Sequence, residues 1–247
     1  MLKSIDGDQY FSAERRGWLA CFPAQLGSRI WTPRPIPETF APQLARQWLA
    51  SCCKHHSNRC RNALARPTNL VVIDCKDLVV VPCPDAPYVA LSYVWGSDRD
   101  EETGNTLAEY DLRKPSNTVK DAIDITTRMG YRYLWVDQFC INQSNVNIQR
   151  EQIERMDMVY QGAYFTIVAA AGEDQRHGIA GASAKRKHQF VLNNGDVTVI
   201  EMPPETPYES VWSTRAWTFQ EGLLSPRRLL FTETHAFFIC RESYCSE

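Results

Sequence analysis

From Tyr88 onward the chain alternates short apolar runs with segments of helical spacing, and this alternation limits the fold more than any other feature. Tyr88-Val89-Ala90-Leu91-Ser92-Tyr93 reads as a strand that ends at Trp95-Gly96. Val119, Ala122, Ile123, Thr126 and Met129 then recur at helical spacing, and Gly130 supplies a stop. Tyr133-Leu134-Trp135-Val136-Asp137 is a second strand, apolar enough to be covered on both faces. A helix over about 147–162 follows, with Ile153, Met156, Val159 and Tyr160 on one side. A third strand spans 164–170. Strands separated by helices require parallel crossovers, so the expected fold class is α/β: a three-layer core with a mainly parallel sheet. Ligands in such sheets sit beyond the carboxyl ends of the strands, here Ser92 to Gly96, Asp137 to Gln143, and Ala169 onward.

The flanking segments are less regular. Pro33, Pro35, Pro37 and Pro42 interrupt residues 1–45, which read as an irregular arm packed on the body. A helix is expected over 45–65, with Leu44, Trp48 and Leu49 spaced for one face. Residues 70–73 and 78–81 suggest a β-hairpin around Asp74-Cys75-Lys76-Asp77. An irregular insertion runs from about 172 to 212, with an extra strand at 197–200. Its basic run Lys185-Arg186-Lys187-His188 is expected in an exposed loop. A last helix over about 214–224 precedes strands at 228–231 and 236–240. The expected division is an arm at 1–47 and a domain at 48–247, whose core covers about 88–240.

Composition removes several function classes. The chain has 27 Lys and Arg against 29 Asp and Glu, a net charge of -2, which argues against nucleic acid as the main partner. No apolar run is long enough to span a bilayer, and the start lacks the apolar core of a signal peptide. A cytoplasmic location is therefore expected, with the nine cysteines as reduced thiols. Cys53, His56 and Cys60 are spaced loosely like zinc ligands, with Cys52 or Cys75 as a fourth. Zinc sites usually show paired short spacings, so buried thiols on a helix face are the preferred reading, with no metal.

The candidate chemistry lies in Arg215-Ala216-Trp217-Thr218-Phe219-Gln220-Glu221. Trp217 and Glu221 are four apart, so on a helix they share a face. An indole beside a carboxylate makes a partly dry wall, which raises the acid's pKa. The bland alternative is that Glu221 pairs with Arg215 or caps a loop. Asp137, Asn142 and Gln143 are placed to bind ribose or phosphate oxygens, or else to tie down their own loop. Trp95 is a candidate for stacking a base, with Gly96 allowing close approach. The alternative there is core packing and a turn. No P-loop, G-x-G-x-x-G or nucleophile elbow is present.

Three strings, Leu91-Ser92-Tyr93-Val94-Trp95-Gly96, Leu134-Trp135-Val136-Asp137-Gln138-Phe139-Cys140-Ile141-Asn142-Gln143 and the Arg215 to Glu221 segment, occur in that order after Trp48, Cys52, Cys53, His56 and Cys60. Together they closely resemble the fungal heterokaryon-incompatibility (HET) domain over about 48–247. The ending Cys240-Arg241-Glu242-Ser243-Tyr244-Cys245-Ser246-Glu247 is similar to that domain's tail, beyond which relatives usually continue. The resemblance implies an effector of non-self recognition and programmed cell death after fusion of unlike fungal cells. It also implies a distant likeness to the TIR domain, and with it a TIR-like (flavodoxin-like) core, and TIR enzymes carry a Trp and a catalytic Glu where Trp217 and Glu221 stand. On that likeness Glu221 is the expected catalytic carboxylate for hydrolysing NAD, which is substrate rather than cofactor. Trp217, Arg215, Tyr93, Trp95, Gly96, Asp137, Asn142 and Gln143 would line the substrate site. Self-association and an upstream recognition protein are implied as partners. The alternative from another class is a signalling adaptor that kills through protein assembly.

Overall fold

In the computed structural model, the residues described are 35–56, 59–60, 67–96, 112–195, 197–201, 210–215 and 221–247, with the backbone of three N-terminal strands. Those strands are β1 (Lys3–Ile5), β2 (Asp8–Ala13) and β3 (Gly17–Pro23). They correct the expectation of an irregular arm. They form an antiparallel meander, and β3 pairs with a strand of the insertion, β10 (Val197–Glu201), which also pairs with β9 (Val191–Asn193). The prolines at 33–42 hid this, since they follow the strands rather than interrupt them.

The second sheet carries the site. Helix α1 (Pro42–His55) begins with a proline at its first turn, where the missing N–H costs nothing, and buries Ala45, Leu49 and Cys52. Next come the hairpin β4 (Val71–Asp74) and β5 (Val79–Pro82), then β6 (Tyr88–Ser92), α2 (Asn117–Arg128) and β7 (Tyr133–Trp135). Helix α2 stops as the sequence indicates. Gly130 has φ 91°, its N–H donates to the Thr127 carbonyl, and that of Tyr131 donates to Thr126. A short turn α3 (Asp137–Cys140) leads to α4 (Val146–Glu154), α5 (Met156–Gly162) and β8 (Thr166–Ala169). After the insertion come α6 (Val211–Thr214), β11 (Arg227–Phe231), β12 (Ala236–Cys240) and β13 (Tyr244–Ser246).

The strand order is β13-β12-β11-β8-β6-β7-β4-β5. The inner strands β7, β6, β8 and β11 run parallel, and the outer pairings at both ends are antiparallel. Numbered among themselves the four parallel strands stand 2-1-3-4, a doubly wound order whose direction reverses between β6 and β8. Both faces are covered. Ile167, Leu229, Phe231 and Phe238 join one apolar cluster with Leu49 of α1. Their neighbours Val168, Leu230, Phe237 and Ile239 join a second one around Trp212.

Four further expectations need correction. The helix over 147–162 is two helices, because Arg155 leaves helical geometry at φ -105°, ψ 8°. The helix over 214–224 does not begin where its spacing suggests, since Arg215 is extended at φ -90°, ψ 132°. The helix over 45–65 ends at His55, ten residues short of that expectation's end. Arg186 leaves the solvated basic run and makes a 2.6 Å ion pair with Glu247, their side chains only 5% and 1% exposed.

Candidate functional site

The direction change between β6 and β8 marks the end of β6 as the place where ligands bind in such sheets, and a buried acid lies there. Residues 221–224 form one helical turn that presents Glu221, which is 8% exposed. Two contacts fix this turn. The Ser225 hydroxyl donates to the Glu221 carbonyl at 2.9 Å and lies 2.7 Å from the Thr166 hydroxyl on β8. The backbone of Gly222 lies against the Trp212 ring so closely that a Cβ there would come within 2.8 Å of it.

Around the carboxylate the polar groups form a chain. Ser92, at the end of β6, donates its hydroxyl to Glu221 Oε2 at 2.5 Å and accepts from the Trp212 indole N–H at 2.8 Å. The Tyr160 phenol of α5 donates to the Leu91 carbonyl at 3.2 Å and lies close enough to Glu221 to lower its carboxyl's pKa. Burial raises the Glu221 carboxyl above its ordinary range, opposed by the Ser92 and Tyr160 hydrogen bonds and by the charge of Arg215. A second carboxyl is close. Asp137 is pushed up to about 7, first by burial and then by the Glu221 charge. The Gln138 N–H, the Trp95 indole and Arg215 act the other way. Two acids whose carboxyls are both raised thus lie close together and titrate as an interacting pair.

The structure gathers some of the expected residues here and sends others elsewhere. Glu221, Arg215, Asp137 and Trp95 meet at the strand ends. Trp95 donates its indole N–H to both Asp137 oxygens, at 3.0 and 3.2 Å, so its polar edge is committed to the acid. Tyr93 is buried and donates to Gln138 Oε1 at 3.0 Å, tying β6 to α3. Gly96 does have φ 94°, but the close approach it permits is to Asp174, whose Cβ lies 2.6 Å from where a Gly96 Cβ would stand. Asn142 accepts from the Ser144 and Asn145 N–H groups, and Gln143 accepts from Gln149, so both brace the loop into α4. Trp217 lies outside the described residues.

Sequence reasoning did not single out Ser92, Trp212 or Tyr160 as site residues. Ser92 sat inside a quoted string and Tyr160 on a predicted apolar face, yet nothing local marks their convergence on Glu221. The Ser92 partner is 129 positions away. A cleft of about 120 Å³ lies apart from these groups, lined by residues such as Thr68, Leu70, Ile148 and Arg155.

The cysteine group also differs from its expected membership. Cys53 faces out toward the Tyr164 hydroxyl, 3.2 Å away. Cys75 is elsewhere, with its N–H bonded to the Arg132 carbonyl. Cys52, His56 and Cys60 converge instead with Cys240.

A family model described as heterokaryon incompatibility protein (HET) matches residues 88–221, more than half of the chain and including β6, α3 and Glu221. The chain belongs to the HET family. Two curated relatives carry the same theme. The vegetative incompatibility protein HET-E-1 of Podospora anserina is 28% identical over 151 residues, covering 59% of this chain and 10% of the relative. Heterokaryon incompatibility protein 6, OR allele, of Neurospora crassa is 28% identical over 131 residues, covering 48% of this chain and 19% of the relative. The HET chain here therefore spans a tenth to a fifth of the relatives it matches. No solved structure matches it significantly. No helix among the described residues is long and apolar enough to cross a membrane.

Proposed function

We propose that this HET-family chain is an effector of fungal heterokaryon incompatibility that drives cell death, and that it acts by hydrolysing NAD at the nicotinamide–ribose bond. The observation that carries the chemistry is Glu221, a buried carboxylate held by Ser92 and Tyr160 at the carboxyl end of the first parallel strand. Nicotinamide leaves a cationic pyridinium as a neutral molecule, so its departure needs no proton. The C1′–N bond breaks with its electron pair going to nicotinamide, water adds to C1′, and one proton is released. What needs support is the oxocarbenium-like ribose, and an ionised Glu221 supplies it through charge. Arg215 favours that ionised form. Asp137 beside it, pushed up to about 7, can hold the proton that keeps the pair from carrying two charges. TIR-type enzymes, which the sequence resembles, act as assemblies, so activity is expected to rise with self-association.

The test incubates the concentrated full chain with NAD and follows nicotinamide and ADP-ribose by chromatography. Release by the wild type and a loss of about 100-fold or more in Glu221→Gln is the expected result. No turnover, or equal turnover in the variant, removes the enzymatic reading.

A second reading has its own support. Glu221 Oε2 is already engaged by Ser92, which is in turn engaged by Trp212, the arrangement of a structural network. An adaptor that kills by assembly would keep its toxicity in a Glu221→Gln strain. It would lose toxicity when exposed apolar residues such as Val79 and Val80 on β5 become charged.

A further inference from the structure

Away from Glu221, three thiols and an imidazole converge where the end of α1 meets the end of β12. Cys52 and His56 are four residues apart at the helix terminus and so share a face. Cys60 follows the same spacing beyond the helix, and Cys240 is the last residue of β12. The four ligand atoms all lie within 4.8 Å of one another, and Cys240 Sγ is 3.3 Å from His56 Nδ1. The three cysteines are buried and His56 is half-buried. In tetrahedral zinc, with Zn–S about 2.3 Å and Zn–N about 2.0–2.1 Å, ligand atoms stand roughly 3.4–3.8 Å apart. The longest edge of this group needs to contract by about 1 Å at most to reach that geometry.

Polar donors, and not apolar filler alone, surround these sulfurs. The backbone N–H groups of Glu242 and Ser243 donate to Cys240 Sγ at 3.4 and 3.2 Å. The Arg241 N–H serves Cys60. Such donors around the sulfurs are the outer partners that orient metal-bound thiolates. A buried guanidinium, Arg227, reaches Cys52. Zinc with three thiolates and a neutral imidazole carries a net charge of about -1, and a neighbouring cation offsets it. The loop is also held for the purpose, since Arg241 donates to the Arg59 carbonyl at 3.0 Å and Glu242 lies 3.8 Å from Arg59.

We propose that Cys52, His56, Cys60 and Cys240 bind one zinc ion. Four protein ligands close the coordination sphere, so the ion is structural, fastening α1 to the end of β12 rather than activating water. Spacing alone missed the site because its fourth ligand is 180 residues from Cys60.

The test measures metal in the full chain, purified without chelator and passed through gel filtration, by mass spectrometry. About one zinc per chain is expected. Exchange with cobalt should give the visible bands of a tetrahedral site and a sulfur-to-metal charge-transfer band. That band should fall by about a third in Cys60→Ser and stay unchanged in Cys53→Ser. The wild-type cobalt spectrum decides the matter even if Cys60→Ser fails to fold. A folded, reduced wild-type chain that holds no zinc and takes up neither metal would overturn the proposal. So would bound cobalt without a thiolate band, or a band that Cys53→Ser removes.

Discussion

Glu221 is a carboxylate that burial pushes toward its neutral form and that Ser92 and Tyr160 pull back. Removing one of those donors makes the balance visible. Ser92→Ala leaves both Glu221 Oε2 and the Trp212 indole N–H short of a buried partner, and should cost about 1–3 kcal/mol in urea unfolding. Asp137 gives a pH signature of known sign. Its folded value of about 7 lies above its ordinary 3.8, so the folded state keeps a proton that the unfolded chain releases between them. Its contribution is complete below the lower value and is lost as pH rises toward 7. Asp137→Asn should remove that part of the decline when unfolding is followed from pH 4 to 8. At this scale the sequence revealed the acids and not their partners. Glu221 and Asp137 stand in recognisable strings, whereas Ser92 and Tyr160 acquire their meaning only when distant strands and helices meet.

Among the elements, those written in a simple period were the legible ones. The β4–β5 hairpin and strands β6, β7, β8, β11 and β12 fall within two residues of their apolar runs, and α2 ends at Arg128, just before its stop signal Gly130. The α4–α5 break was illegible because apolar spacing continues through it, and Asn145 starts α4 by capping Asn147 and Ile148 without any proline or glycine to mark a second boundary. Helix α2 also holds the start of the insertion. Asp121 accepts from the Ile179 N–H at 2.7 Å, the Ser183 N–H at 3.3 Å and the Ser183 hydroxyl at 2.6 Å. Asp121→Ala strands these donors, with an expected cost on the order of 2 kcal/mol. Limited proteolysis should then cut within 178–184 sooner than in the wild type.

For the whole molecule, strands alternating with helices require parallel crossovers, which is why the α/β class was readable in the sequence although the 2-1-3-4 order was not. The ties that close the molecule were not, because they join its extremes. Glu247 accepts from the Ala41 and Ala236 N–H groups and pairs with Arg186, while Arg186 also donates to the Pro37 carbonyl. Glu247→Ala leaves a buried guanidinium uncompensated, and should lower stability by about 3–5 kcal/mol in thermal or denaturant unfolding. Replacing both partners, Arg186→Met with Glu247→Leu, should recover much of that loss. The meander's last strand has a different dependence, since Cys21 of β3 pairs with Val199 of β10. During synthesis β3 emerges well before β10, so its edge stays bare until the whole segment between them has followed. Whatever shields that edge in the interval governs how much newly made chain escapes clumping, and the Glu221 cradle has no part in it.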